Sequence, residues 1–400
     1  MANGDRKPAL WINADIYAPD GIIKRGRILV DGEGRIGDVG GPDTVYGDDI
    51  PVFDAEGLKI VPGFIDVHVH GGNGFNAMEG TYEDLDGISR FHARHGTTSF
   101  LATTATASNE RITKALEAAA DAMRRGVSGA ELLGIHLEGP FLNVKRSGAQ
   151  SKDDIRPPDL GEIERFMRSA GQRIKLVTLA PEAEGGREAV RYFAERGVTV
   201  SAGHSDATYE QAAEAIAWGV SHTTHHFNGM SPLHHREPGL AGAGLTRPEL
   251  TTELIADGIH VHPAAVKLLF DVKSPMNVCM ITDAVACCGL PDGDYGRVVM
   301  TGGRIYLKDG SSLAGSSLTM LQALKNAMSF TGLPMERILP SLTRVPARQI
   351  RMDCRKGALE AGKDADFLIL DQELNLISTF VAGREAYRSQ ESGTIIRKLK

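Results

Sequence analysis

Eight short apolar runs alternate with amphipathic stretches through the middle of the chain, and this rhythm limits what the sequence can fold into. The runs span residues 61–69, 97–104, 132–138, 174–180, 198–204, 220–226, 251–258 and 277–284. Segments with helical periodicity lie between most of them, most clearly at residues 81–95, 109–125, 160–170, 187–197 and 208–219. A strand followed by a helix, repeated eight times, predicts a parallel sheet closed into a (β/α)8 barrel, the TIM barrel. The first sixty residues differ: short alternating segments break at Gly, Asp and Pro, as strands between turns do. After a helical pattern at residues 316–330, the tail returns to β character. The expected organisation is therefore α/β, with a barrel at 61–354 and a small β-sandwich formed by residues 1–60 and 355–400.

Composition narrows the function classes. With 400 residues, 42% of them hydrophobic, the chain can fill a large core. Its 44 basic and 51 acidic residues are interspersed, for a net charge of −7. This argues against nucleic acid or an anionic membrane as main partner. Four cysteines without disulfide or zinc-finger spacing suit a reducing compartment. The N-terminus lacks the apolar core of a secretory signal, and no run approaches the roughly 20 residues of a membrane span. A cytoplasmic enzyme is the expectation.

His68 and His70 close the first run. Strand residues i and i+2 face the same way, so two imidazoles here can grip one ion. Other run ends carry Glu138, His204, the pair His225–His226, and Asp283. Catalytic groups in such barrels come from the C-terminal ends of several strands. Imidazole and carboxylate donors suit Zn²⁺ or Fe²⁺ and not an all-thiolate site. A divalent ion lowers the pKa of water to about 7 and polarises a carbonyl. A neighbouring carboxylate can then move the proton to a leaving amine. Asp283, at the last run end, is the candidate for that role, as acid/base, metal ligand or both. His225 and His226 are adjacent and face opposite sides of a strand, so the residues alone do not choose between them.

The motifs PGFIDVHVHG, LEGPF, GHSDAT, THHFNGM, REPGLAGAGL, IADGIHVHP, ITDA and LAGSSLTM, with the tail KGALEAGKDADFLILD, span nearly the whole chain. Together they resemble the amidohydrolase superfamily, and within it the N-acetylglucosamine-6-phosphate deacetylases. The resemblance selects His225. It implies that Glu138, His204 and His225 hold one ion, and that His68 and His70 hold a second with Glu138 bridging. The cofactor would thus be one or two divalent ions per subunit. The substrate would be a phosphosugar, contacted by Ala149, Gln150, Asn228, Gly229, Arg236, Asp257, His260, Leu313, Ala314 and Gly315. Arg236 is assigned to the phosphate, which a guanidinium fork suits. Gln150 stands where some relatives have histidine. The phosphate site in this family can borrow residues from a second subunit, implying a homodimer. The galactosamine epimer is the nearest alternative substrate. Dihydroorotase-like or N-acyl-amino-acid hydrolysis, and a non-catalytic barrel, are wider ones. REPGLAG and the fully occupied ligand positions stand against these.

The other histidines read as structural. His92 and His95 end a helix, where positive charge suits the dipole. His136 and His222 read as packing, His234 and His235 as loop residues, and His262 as a helix cap.

Overall fold

The computed structural model describes residues 8–44, 50–390 and 397–399. All eight expected runs contain strands: β1 (Phe64–Val69), β2 (Thr97–Thr103), β3 (Glu131–Glu138), β4 (Ile174–Leu179), β5 (Thr199–Ala202), β6 (Val220–Thr223), β7 (Thr251–Ile255) and β8 (Val278–Ile281). They pair in chain order, each parallel to the next. Closure runs through the ends of β1 and β8. Asp283 N donates to His68 O at 3.0 Å and His70 N to Ala284 O at 2.9 Å. Asp66, buried in β1, accepts the Thr282 hydroxyl at 2.5 Å and the Thr282 N–H at 3.3 Å. Burial still pushes the Asp66 carboxyl up to about 7.

Helices begin where the sequence offers a cap. Thr81, Asp159 and Thr208 accept the N–H three residues on, at 3.1, 2.8 and 3.2 Å. These start helices Tyr82–Ala93, Leu160–Ser169 and Tyr209–Trp218. Asn109–Arg125, Gly186–Glu195 and Met320–Thr331 fill the other expected positions. None among the described residues is long and apolar enough to cross a membrane. His262 caps helix Pro263–Lys273, accepting the Ala264 N–H at 3.2 Å.

His92 departs from its expected role as a helix-end cation. It is fully buried, with Nε2 3.0 Å from Gly71 O, and burial lowers it to about 4. The unfolded chain therefore binds a proton that the fold refuses between pH 6.5 and about 4. Stability should fall as pH drops through that window, by on the order of 3 kcal/mol from this residue. Denaturant titrations at stepped pH would check it: His92→Asn, if folded, should flatten the slope.

The chain ends do pair with each other. Lys59–Pro62 runs antiparallel to Phe367–Leu370, with Ile60 opposite Ile369. They lie in a nine-stranded sheet that branches at Ala9–Ala18, which pairs with Val52–Asp54 along one half and Lys59–Pro62 along the other. Trp11, Phe53, Phe367 and Phe380 pack together there, with Trp11 stacked on Phe53 at 4.7 Å. The Gly-rich stretch after β8 forms an unexpected three-stranded ribbon, Gly293–Tyr295, Val298–Thr301 and Arg304–Leu307.

Candidate metal and substrate site

The six singled-out side chains meet at the C-terminal mouth of the barrel. His68 lies within β1 and Glu138 ends β3. The other run ends reach less far as strand than expected: β5, β6 and β8 stop at Ala202, Thr223 and Ile281. His204, His225 and Asp283 sit just beyond, in turns with φ of 46°, 31° and 52°. Such left-handed backbone is uncommon outside glycine, Asp and His being among the residues that adopt it most readily, and it clusters at functional sites.

The ligand atoms of these six fall into two groups, His68–His70–Asp283 and Glu138–His204–His225, while a third set within the same reach, His68–His136–Glu253, is completely buried. In the first, the two Nε2 atoms lie 3.3 Å apart, and Asp283 Oδ1 is 3.5 Å from His68 Nε2 and 3.3 Å from His70 Nε2. In the second, His204 and His225 Nε2 lie 3.1 Å apart, each 3.3 Å from Glu138 Oε1. Glu138 Oε2 is 3.2 Å from His70 Nε2, so this carboxylate stands between the groups.

Each of three histidines is held by its far nitrogen. His68 Nδ1 meets Glu253 Oε2 at 3.0 Å, His204 Nδ1 meets Arg146 O at 2.7 Å, and His225 Nδ1 meets Asn228 O at 3.0 Å. Those acceptors call for Nδ1–H, which leaves the Nε2 lone pairs facing inward. Lone pairs converging at 3.1 Å repel unless a cation lies between them. The electrostatics agree. Burial pulls the His70 imidazolium down, but Asp283 and Glu138 outweigh it and raise it to about 9. Burial opposes ionisation of Glu138, yet His68, His204 and His225 hold its carboxyl well below the usual range. The cluster is built to hold positive charge, and its nitrogen and oxygen donors fit a divalent metal.

His226 turns the other way, into the core beside Gly244, where burial lowers it to about 3. His136 is likewise buried in the barrel, bonded to Thr178 Oγ1 at 2.7 Å.

Above the groups lies a cavity of about 690 Å³. His70, Glu138, His204, His225 and Asp283 reach it, as do Ala149, Gln150, Asn228, Gly229, His260, Leu313, Ala314 and Gly315. Asp257 stands behind His260, accepting from its Nδ1 at 2.7 Å and from the N–H groups of Ile259 and His260 at 2.8 Å each. Burial works against the His260 imidazolium, but Asp257 raises it above its ordinary value. Gln150 Oε1 accepts the Thr106 N–H at 2.8 Å, which turns its amide nitrogen toward Glu138 Oε2, also at 2.8 Å. Arg236 does not line the cavity. It is exposed on a loop with its guanidinium 2.7 Å from His235 Nε2.

Sequence reasoning missed three charged residues here. Arg111 and Arg297 line the cavity, and Arg297 Nη2 donates to Ala149 O at 2.7 Å. Arg297 lies in the ribbon, whose turn-rich sequence gave no hint that it reaches the site. Glu253 was legible in principle, as a lone acid in the apolar run TTELI.

The chain matches the model of the Amidohydrolase family over residues 60–386. It is 39% identical over 388 residues to an N-acetylglucosamine-6-phosphate deacetylase of Bacillus subtilis (strain 168), covering 95% of this chain and 97% of that one. An N-acetylgalactosamine-6-phosphate deacetylase of Escherichia coli O157:H7 is 36% identical over 340 residues, covering 84% and 90%. Among solved structures, a mutant N-acetyl-D-glucosamine-6-phosphate deacetylase of Mycobacterium smegmatis, in complex with N-acetyl-D-glucosamine-6-phosphate, superposes with a TM-score of 0.89. It is 31% identical and covers 95% of this chain and 99% of that chain. The Thermotoga maritima N-acetylglucosamine-6-phosphate deacetylase gives 0.85 at 34% identity, covering 95% and 100%.

Proposed function

The chain belongs to the amidohydrolase family, and from that premise we propose that it hydrolyses the acetamido group of N-acetyl-D-glucosamine 6-phosphate to acetate and D-glucosamine 6-phosphate. The observation that carries this reading is the convergence of four inward imidazole nitrogens around Glu138, at the floor of a cavity large enough for a phosphosugar. His68, His70 and Asp283 would hold one divalent ion, and Glu138, His204 and His225 another, with Zn²⁺ or Fe²⁺ best suited to the donors. Such an ion acidifies water and polarises an amide carbonyl.

The chain's own residues supply the rest. Asp283 accepts the proton of the attacking water as the C–O bond forms, and returns it to nitrogen as the C–N bond breaks. His260, whose imidazolium Asp257 favours at 2.7 Å, faces the phosphate together with Asn228 and the Gly229 N–H. Ala149, Gln150, Leu313, Ala314 and Gly315 border the sugar. Positive φ at Gly229 and Gly315, 58° and 66°, lets main chain come close to ligand.

Arg236 lies outside its own chain's cavity, and its exposure supports a role in trans: it reaches the phosphate in a second subunit of a homodimer. Arg236→Ala should lower kcat/KM for the phosphorylated substrate by roughly 10- to 100-fold, the worth of a charged hydrogen bond. Unphosphorylated N-acetylglucosamine should lose far less. Equal losses, measured by acetate release, would remove the phosphate contact. Metal-dependent acetate release from N-acetyl-D-glucosamine 6-phosphate tests the whole reading, and no release from protein shown to hold metal would contradict it.

A further inference from the structure

Glu253 is a fully buried acid in the middle of β7, on a strand otherwise built of Thr, Leu and Ile. It does not line the cavity above the metal groups, so contact with substrate does not account for it. A buried carboxylate survives only where donors surround it. Here Oε2 accepts twice: from His68 Nδ1 at 3.0 Å and from the main-chain N–H of His225 at 2.9 Å. Oε1 meets His222 Nε2 at 3.3 Å, and His222 Nδ1 is 3.2 Å from Gln349 Oε1 on helix Arg344–Gln349. The Glu253 carbonyl also accepts the His226 N–H at 2.9 Å.

The two donors on Oε2 belong to different metal groups. His68 is a ligand of the first, and its tautomer follows from the Glu253 bond. His225 is a ligand of the second, and its main chain sits at φ 31°, a conformation that needs an outside hold. The geometry assigns Glu253 as a positioning residue that couples the two metal groups, fixing the ring of one ligand and the backbone of the other through a single oxygen. The assignment rests on the metal-dependent reading above. It implies that the two groups lose affinity together when Glu253 is altered, although Glu253 touches neither ion. His222 and Gln349 extend the hold to a helix outside the strand ends, so the anchor for both groups lies away from the cavity.

The test uses the full chain stripped of metal and reloaded with Co²⁺, competed against a chelator. Bound Co²⁺ is followed by visible absorption and elemental analysis, with no substrate present. Glu253→Gln keeps the shape and removes the charge. Glu253→Asp keeps the charge and withdraws it by one methylene, and it decides the matter if the glutamine variant does not fold. Outer partners of metal-ligating histidines are worth about 10–100-fold in metal affinity. The expected result is a drop of at least about tenfold in Co²⁺ affinity at both groups, in a variant that keeps the wild-type circular dichroism. A purely structural role would instead lower the melting temperature of the metal-free protein and leave Co²⁺ affinity intact. Wild-type affinity in the folded variant, or weakening at one group only, overturns the coupling. Failure of the wild-type chain to retain Co²⁺ would overturn the metal-dependent reading, and the coupling with it.

Discussion

Asp283→Asn is expected to keep its metal and lose turnover by roughly 10²–10⁴-fold, the usual contribution of a positioned acid/base. The asparagine can still offer an oxygen toward the His68–His70 pair, which lies 3.5 and 3.3 Å from Asp283 Oδ1 in the native chain. It cannot accept and return a proton. Burial opposes the charge on Asp283, but His68 and His70 hold its carboxyl below the usual range, so it is ionised and ready to accept at neutral pH. The loss should fall on kcat, because the proton moves in the chemical step. Elemental analysis beside steady-state kinetics checks both halves. Near-normal kcat would remove Asp283 from acid/base work, and metal loss would make it chiefly a ligand.

Lys356→Met should cost about 3–5 kcal/mol of stability, because it strands carboxylates that the fold has already desolvated. Lys356 is 1% exposed, and its Nζ lies 2.7 Å from Glu131, 3.0 Å from Asp364 and 2.6 Å from Asp366. Burial pulls the ammonium down, but these three acids hold it well above its ordinary value. Arg355, 2.8 Å from both Glu131 and Asp364, shares the first two of these acids, while Asp366 pairs with Lys356. Asp366 therefore loses its cation while still accepting the Ala382 N–H at 2.7 Å. The cluster joins the start of β3 to the C-terminal strands, so the lesion sits at the joint between barrel and terminal sheet. Denaturant unfolding would measure it. A loss under about 1 kcal/mol would show the carboxylates to be protonated or solvated instead.

The barrel was legible because each strand is an apolar run punctuated by an amphipathic helix. The metal groups were legible for a related reason. Strand alternation pairs His68 with His70, and strand ends in a closed barrel converge whatever their separation in sequence. What stayed hidden was set by tertiary packing. The tight turns holding His204, His225 and Asp283 shorten the strands, because positive φ ends the ladder sooner than an apolar pattern suggests. Asp66 and Glu253 sit inside apolar runs, and only the closed barrel shows which donors stabilise them. His92 looked like a helix-end cation, but burial in the core keeps it neutral, with its ring nitrogen donating to Gly71 O. Arg111 and Arg297 reach the cavity from segments that no periodicity ties to it.

The measurement that bears most directly on the proposed activity is acetate release from N-acetylglucosamine 6-phosphate, run beside N-acetylgalactosamine 6-phosphate and unphosphorylated N-acetylglucosamine, with Zn²⁺, Fe²⁺ or Mn²⁺ supplied. The expected result is metal-dependent release strongly favouring the glucosamine phosphate. Preference for the galactosamine epimer would move the substrate by one hydroxyl and keep the mechanism. No release from any of the three, in protein shown to hold metal, would contradict the proposed reaction.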